Sequence, residues 1–257
     1  MGPMQLKTVA RDCLSLNWAL PKSAAPALPS LLRYETHVFG DSEYVFASAL
    51  LFQFTGLHYS AVPFFRVGYP QFSLRLYVID HKGRPSVLLL RILVPSWVAP
   101  FAQTLGRQPS EPARFKFPGL PDPAASSNGD EWHWQVERKA SLELTGRLSA
   151  PPAQGGRRLG SWDETVAYFR HRRRVYAVWN QRLRALNTSH PASDVWPLKV
   201  DIKEIGLVAQ SLPAVETVDL LRPHSAWICP EIPFSFEFGK PLTSPLAQQR
   251  WPAPESC

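Results

Sequence analysis

The run RVGYPQFSLRLYVIDHKGRPSVLLLRILV, residues 66–94, decides the fold. Two segments rich in β-branched, aromatic and aliphatic residues flank Asp80-His81-Lys82-Gly83-Arg84, and this pattern reads as strand, short turn and strand. In the first segment Phe72, Leu74, Leu76 and Val78 alternate with Ser73, Arg75, Tyr77 and Ile79, so one face is apolar and the other mixed. In the second, Leu88, Leu90 and Ile92 take one parity while Val87, Leu89, Arg91 and Leu93 take the other. With residues 80–84 as the loop, Tyr77 lies opposite Val87, Arg75 opposite Leu89 and Ser73 opposite Arg91. A slip of one residue would drive Arg75 into the apolar face, so burial selects this register. The expected product is a hairpin with one dry face and one face carrying Ser73, Arg75, Tyr77 and Arg91.

The segment Tyr69-Pro70-Gln71-Phe72-Ser73-Leu74-Arg75-Leu76-Tyr77-Val78, followed by Gly83-Arg84-Pro85-Ser86-Val87, resembles the hallmark of the bacterial domain of unknown function 2071 family, with Ser73 where asparagine is usual. Correspondence extends through Leu105–Phe117 and Trp162–Leu212. That family is similar to acetoacetate decarboxylase and its relatives. The resemblance implies a mainly β (α+β) fold, a curved antiparallel sheet closed into a barrel or cone around an internal cavity, with a few short helices. It also implies a lysine pair after a proline, one lysine forming a Schiff base with a keto acid. This chain carries Gln108-Pro109-Ser110-Glu111 there, so Ser110 and Glu111 occupy the lysine positions. Lys116, between Phe115 and Phe117, and Lys139, after Arg138, are the substitutes to test, although alternation turns both toward solvent.

Read in order, the chain offers an opening strand over Lys7–Leu20, a short helix over Ala24–Leu32 where the family implies one, and strands at Tyr34–Phe39 and Glu43–Phe54. An irregular loop over Gly56–Pro63 carries His58 and Tyr59. Ser96–Leu105 reads as a helix weakened by Pro100, and strands follow at Phe115–Leu120 and within Glu131–Leu148. Pro121–Gly129 and Ala150–Gly156 read as linkers. Ser161-x-x-Glu164 is a capping box that starts a helix over residues 162–171. Val175–Leu186 and Leu198–Ile205 read as strands, Ile205–Leu212 as a short helix, and Leu220–Trp227 and Phe234–Phe238 as the final pieces. The whole reads as one domain over residues 1–239, with a proline-rich, flexible tail over 240–257.

Composition narrows the function classes. The net charge of +7 invites nucleic acid as a partner, but charged residues are only 19% and the excess concentrates between Arg157 and Arg184. The run Arg170–Arg174, with no aromatic platform beside it, reads as a solvated helix end. No apolar run approaches the roughly 20 residues that span a bilayer, and no apolar signal core opens the chain, so a cytoplasmic location is expected. Cys13, Cys229 and Cys257 lack a CxxC pair and read as reduced thiols. Seven histidines without HxH or HExxH spacing give no metal site, and no phosphate loop or nucleophile elbow suggests a cofactor.

The candidate ligand-binding residues are therefore Arg75, Tyr77, Ser73, Arg91 and His58. Guanidinium forks suit a carboxylate, and a hydroxyl or imidazole beside them suits acid–base work. The competing reading pairs each arginine with a structural acid such as Glu43 or Glu137. The expectation is an enclosed pocket for a small anionic or carbonyl-bearing metabolite, with a non-catalytic binding or sensing protein as the rival and nucleic-acid interaction through the Arg170–Arg174 run as the third reading. The oligomeric state stays open, a homodimer being one option.

Overall fold

A computed structural model describes residues 5–104, 108–118, 130–151, 159–170 and 172–238; the expected tail, the linker 121–129 and Cys257 lie outside them. The alternating segments become β1 (Gln5–Pro21), β2 (Leu32–Tyr34), β3 (His37–Phe39), β4 (Ser42–Tyr59), β5 (Val67–Asp80) and β6 (Pro85–Val94). After helix α1 (Ala99–Thr104) come β7 (Ser110–Pro112), β8 (Arg114–Lys116), β9 (Trp132–Glu137) and β10 (Ser141–Leu148). Helix α2 (Trp162–Arg170) precedes β11 (Arg174–Trp179), β12 (Arg182–Ser189) and β13 (Trp196–Glu204). Two single turns, α3 (Gly206–Ala209) and α4 (Thr217–Leu220), lead to β14 (Ser225–Phe238).

Strand pairing runs β1-β4-β5-β6-β11-β12-β14, and β14 pairs again with β1, so the ladder returns to its starting strand. All these pairings are antiparallel except β6 with β11. The apolar parity of β5, Phe72, Leu74, Leu76 and Val78, faces the largest core, shared with Leu14, Leu16 and Trp18 of β1 and with Trp134 and Leu144 of β9 and β10. The opposite parity faces two smaller clusters. One, around Phe52, Phe54, Tyr69 and Ile92, borders the cavity. The other, around Phe46, Tyr77 and Trp227, is packed by Phe169 of α2.

The turn after β5 is held by Asp80, which is buried and accepts from the backbone N–H groups of Lys82 (2.8 Å) and Arg84 (2.9 Å), from Arg84 Nε (2.8 Å) and from Tyr176 Oη (2.9 Å). Burial acts to raise its pKa, but these donors outweigh it and hold the carboxyl well below the usual range. Gly83, at φ +75°, supplies the left-handed step. The register next to this turn is as expected, with Tyr77 opposite Val87 and Arg75 opposite Leu89. Further along it is not. A β-bulge at Leu90 places Arg91 opposite Leu74 and Ile92 opposite Ser73. Because successive residues point to opposite faces, this one extra residue carries Arg91 to the side of the large core.

Other expectations are also corrected. Lys22–Ala24 forms one 3-10 turn and no helix follows over Ala24–Leu32, where Pro26 and Pro29 withhold N–H donors. Tyr34–Phe39 is split, β2 pairing with β5 and β3 with β4. The loop expected at Gly56–Pro63 starts only after Tyr59, so His58 lies on β4. Helix α1 begins at Ala99, which puts Pro100 in the first turn, where its missing donor does no harm. Val175–Leu186 is a hairpin turning at Asn180 (φ 48°) and Gln181 (φ 58°), two left-handed residues of the kind that match strand twist. β14 runs unbroken through Pro230 and Pro233.

Candidate functional site

A cavity of about 130 Å³ is lined by residues from β1, β4, β5, β6, β11, β12 and β14, so every strand of the returning ladder contributes. Its polar end is built from Ser73 and Arg75 on β5, Arg170 at the end of α2, and Arg172 just beyond it. Among the described residues no Asp, Glu or Lys lines it.

Arg75 is positioned by neutral acceptors. Its Nη2 donates to Tyr77 Oη (2.8 Å) and to the backbone oxygen of Phe169 (3.0 Å), in the last turn of α2, where unpaired carbonyls and the helix dipole favour a cation. Helix α2 is itself fixed by its capping box, with Ser161 N–H donating to Glu164 Oε2 (2.6 Å) and Glu164 N–H to Ser161 Oγ (3.3 Å). Tyr77 does not line the cavity; it stands behind Arg75. Its hydroxyl donates to Phe169 O (3.1 Å) and meets Ser48 Oγ (2.9 Å), which donates to Asn17 Oδ1 (2.5 Å). Asn17 Nδ2 donates to Ser225 O (3.2 Å), completing a buried polar line.

Arg170 Nη1 donates to Ser193 O, while Arg172 pairs with Glu35 (3.0 Å) and lies over the Tyr168 ring at 4.4 Å. Burial pushes the Glu35 carboxyl up against the pull of Arg172. Beside the cavity, the guanidinium nitrogens Arg75 Nε, Arg170 Nη2 and Arg172 Nε are buried without a hydrogen-bond partner in the protein, as is Arg174 Nε away from its wall. The run Arg170–Arg174 is thus only partly a solvated helix end: Arg170 and Arg172 border the cavity, while Arg173 is exposed and Arg174 donates to Asn187 Oδ1 (2.5 Å) at the surface. His190, also on the cavity wall, is held below its ordinary pKa, first by burial and further by the charges of Arg170 and Arg75. Cys13 lines the wall opposite Cys229 of β14, both free thiols, and burial pushes Cys13 up to about 12. It is a protonated wall group, not a thiolate nucleophile.

Of the residues expected at the site, Ser73 and Arg75 line the cavity, Tyr77 supports Arg75, and Arg91 and His58 stand apart. Arg91, on the far side of the bulge, donates to Leu207 O (3.1 Å) and pairs with Glu111 (3.6 Å), which also pairs with Arg138 (2.6 Å). The acid partner is therefore Glu111, neither Glu43, which pairs with Lys22, nor Glu137. His58 bonds through Nδ1 with Gly56 O (2.7 Å) beside Lys7 of β1. Ser110 is buried outside the cavity wall, and Lys116 and Lys139 are exposed. Arg170, Arg172, Gln108 and His190 were not foreseen. The i, i+2 spacing of Arg170 and Arg172 was the available signal, since extended chain leaving the end of α2 brings residues two apart to one face.

No group of three or more His, Cys, Asp or Glu side chains is placed to hold a metal among the described residues, and no helix there is long and apolar enough to cross a membrane. No curated protein sequence matches the chain. Among solved structures it is similar to the enduracididine biosynthesis enzyme MppR with HEPES buffer bound, at TM-score 0.63 and 13% identity over 94% of this chain and 88% of that one. The same enzyme complexed with pyruvate gives TM-score 0.61 and 12% identity over 94% and 91%. An acetoacetate decarboxylase-like enzyme from Sphingomonas wittichii RW1 gives TM-score 0.54 and 15% identity over 92% and 91%. At these identities the likeness is one of fold. The model of the domain of unknown function 2071 family, described as an uncharacterized conserved protein, matches residues 7–233, and the chain belongs to that family.

Proposed function

We propose that this protein binds a small carboxylate-bearing metabolite inside a single β-rich domain whose ring of strands closes as a barrel around the cavity, without Schiff-base chemistry. The observation that carries the reading is the polar end of the cavity, bordered by three arginines that each keep a buried N–H without a protein acceptor, while no acid among the described residues lines the wall. Such donors are costly to leave unpaired, and an anion on them recovers that cost. A carboxylate matches the fork geometry of Arg75, with Ser73 as a further donor. Two further observations support the binding reading: MppR, similar in fold, is described in complex with pyruvate, and the cavity wall holds no lysine among its described residues. With two of its arginines bordering the cavity, the Arg170–Arg174 run is better explained by this ligand than by nucleic acid.

The test is calorimetric titration of the full chain with pyruvate and with acetate, compared with Arg75→Met, alongside borohydride reduction in the presence of pyruvate. Saturable binding by the natural chain, markedly weakened in a folded Arg75→Met, and an unchanged mass after borohydride are expected. A stable adduct on Lys116 or Lys139 would turn the reading toward covalent catalysis.

A further inference from the structure

The arginines account for one end of the cavity only. Along β5 the cavity-facing positions step from Arg75 through Ser73 and Gln71 to Tyr69, and their partners on β4 are Ser48, Leu50, Phe52 and Phe54. Six residues separate Arg75 from Tyr69, about 20 Å of strand at about 3.3 Å per residue. The wall changes character over that length. Phe52 and Phe54 have ring centroids 4.8 Å apart, Phe54 and Tyr69 5.4 Å, Phe54 and Phe236 5.7 Å, and Phe236 and Phe234 5.7 Å. Leu57 and Leu6 extend the same surface. The result is an elongated space with guanidinium groups at one end and a continuous aromatic and aliphatic sleeve at the other. An acid of two or three carbons seated on Arg75 would leave the sleeve facing water. A cavity of about 130 Å³ has room for on the order of ten water-sized groups, at about 10–15 Å³ each.

We propose that the ligand is a monocarboxylate with an apolar tail, either a straight chain of about four to six carbons or a single phenyl ring, its head on Arg75 and its tail along Phe52, Phe54 and Phe236. This rests on the carboxylate reading above and names the class of acid within it. A second charge at the far end of the ligand would lie among ring faces and neutral side chains such as Gln71 and Tyr69, with no cation to match it, so the same wall disfavours dicarboxylates.

The experiment is calorimetric titration of the full chain with acetate, butanoate, hexanoate, phenylacetate, succinate and hexanamide. Each methylene buried in the sleeve contributes roughly fourfold in affinity, so hexanoate and phenylacetate should bind at least tenfold more tightly than acetate, and hexanamide far more weakly than hexanoate. Phe54→Ala should narrow the ratio of hexanoate to acetate affinity below threefold. Leu57→Gln, at a partly buried position, gives the same reading if Phe54→Ala does not fold. Equal affinity for acetate and hexanoate, tighter binding of succinate, or an unchanged ratio in a folded variant would overturn the tail assignment while leaving the carboxylate reading standing. Failure of every acid to bind would overturn both.

Discussion

Arg75 and Arg91 sit on neighbouring strands of one hairpin, only a few residues along the ladder from each other, yet the two faces they occupy put them to opposite uses. Arg91 is neutralised: Glu111 lies between it and Arg138, all three side chains being only 14–17% exposed. Arg75 is held by a tyrosine hydroxyl and a helix carbonyl, neutral groups that fix its direction without cancelling its charge. A buried arginine matched by a carboxylate is part of the framework. One oriented by dipoles keeps its attraction for an outside anion.

Breaking the framework side should produce the largest effect. Glu111→Ala strands Arg91 and Arg138 in a half-dry setting and should cost about 2–4 kcal/mol of stability in urea unfolding; a loss under 1 kcal/mol would mean that solvent already screens the trio. On the cavity side the effect moves from stability to affinity. Arg75→Met should melt within a few degrees of the natural chain while losing about 1.5–3 kcal/mol of carboxylate affinity, and a large drop in melting temperature with affinity intact would make Arg75 another framework residue. Tyr77→Phe probes the orientation alone. It removes one acceptor from Arg75 and should weaken the carboxylate by about 0.5–1.5 kcal/mol, measured by titration at matched temperature.

The smallest effect extends the comparison to a carboxylate. Asp12, at φ 53° in an irregular stretch of β1, is raised to about 6 by burial, against the smaller pull of Arg11. Since the folded chain then binds this proton more tightly than the unfolded one, stability contributed below pH 4 is lost as pH rises toward 6. Asp12→Asn tolerates the left-handed backbone, so it should flatten that interval and add about 1 kcal/mol or less at pH 7. An unaltered pH profile would show Asp12 to be solvated.

Much of the scaffold was legible because burial and alternation agree. The β5 faces, the register at Arg75 and Tyr77, and the capping box that orders α2 follow from residue types at fixed spacings. The bulge is invisible for a physical reason: Leu88, Leu89 and Leu90 are apolar on both parities, so an extra residue changes no pattern, and strict alternation puts Arg91 on the wrong face. Asn180-Gln181 lacks the glycine that marks most two-residue turns, so one hairpin passed for one strand. Arg170 and Arg172 read as surface charge, since their burial depends on β1, β12 and β14 converging from distant parts of the chain. The polar half of the site was therefore only partly foreseen, through Arg75 and Ser73.

The pairing of β14 with β1 has a consequence for biosynthesis. Gln5 pairs with Glu237, so β1 meets a strand made long after it. During vectorial synthesis β1 and β4 can pair early, but one edge of β1, with its open backbone donors and acceptors, waits for nearly the whole chain to emerge. Phe234 and Phe236 arrive with that final strand, so a ribosome-bound intermediate holds a half-walled, aromatic-lined trough. Nascent chains stalled before residue 225 should accordingly bind chaperones or aggregate, and emergence of β14 should be the step that closes the cavity.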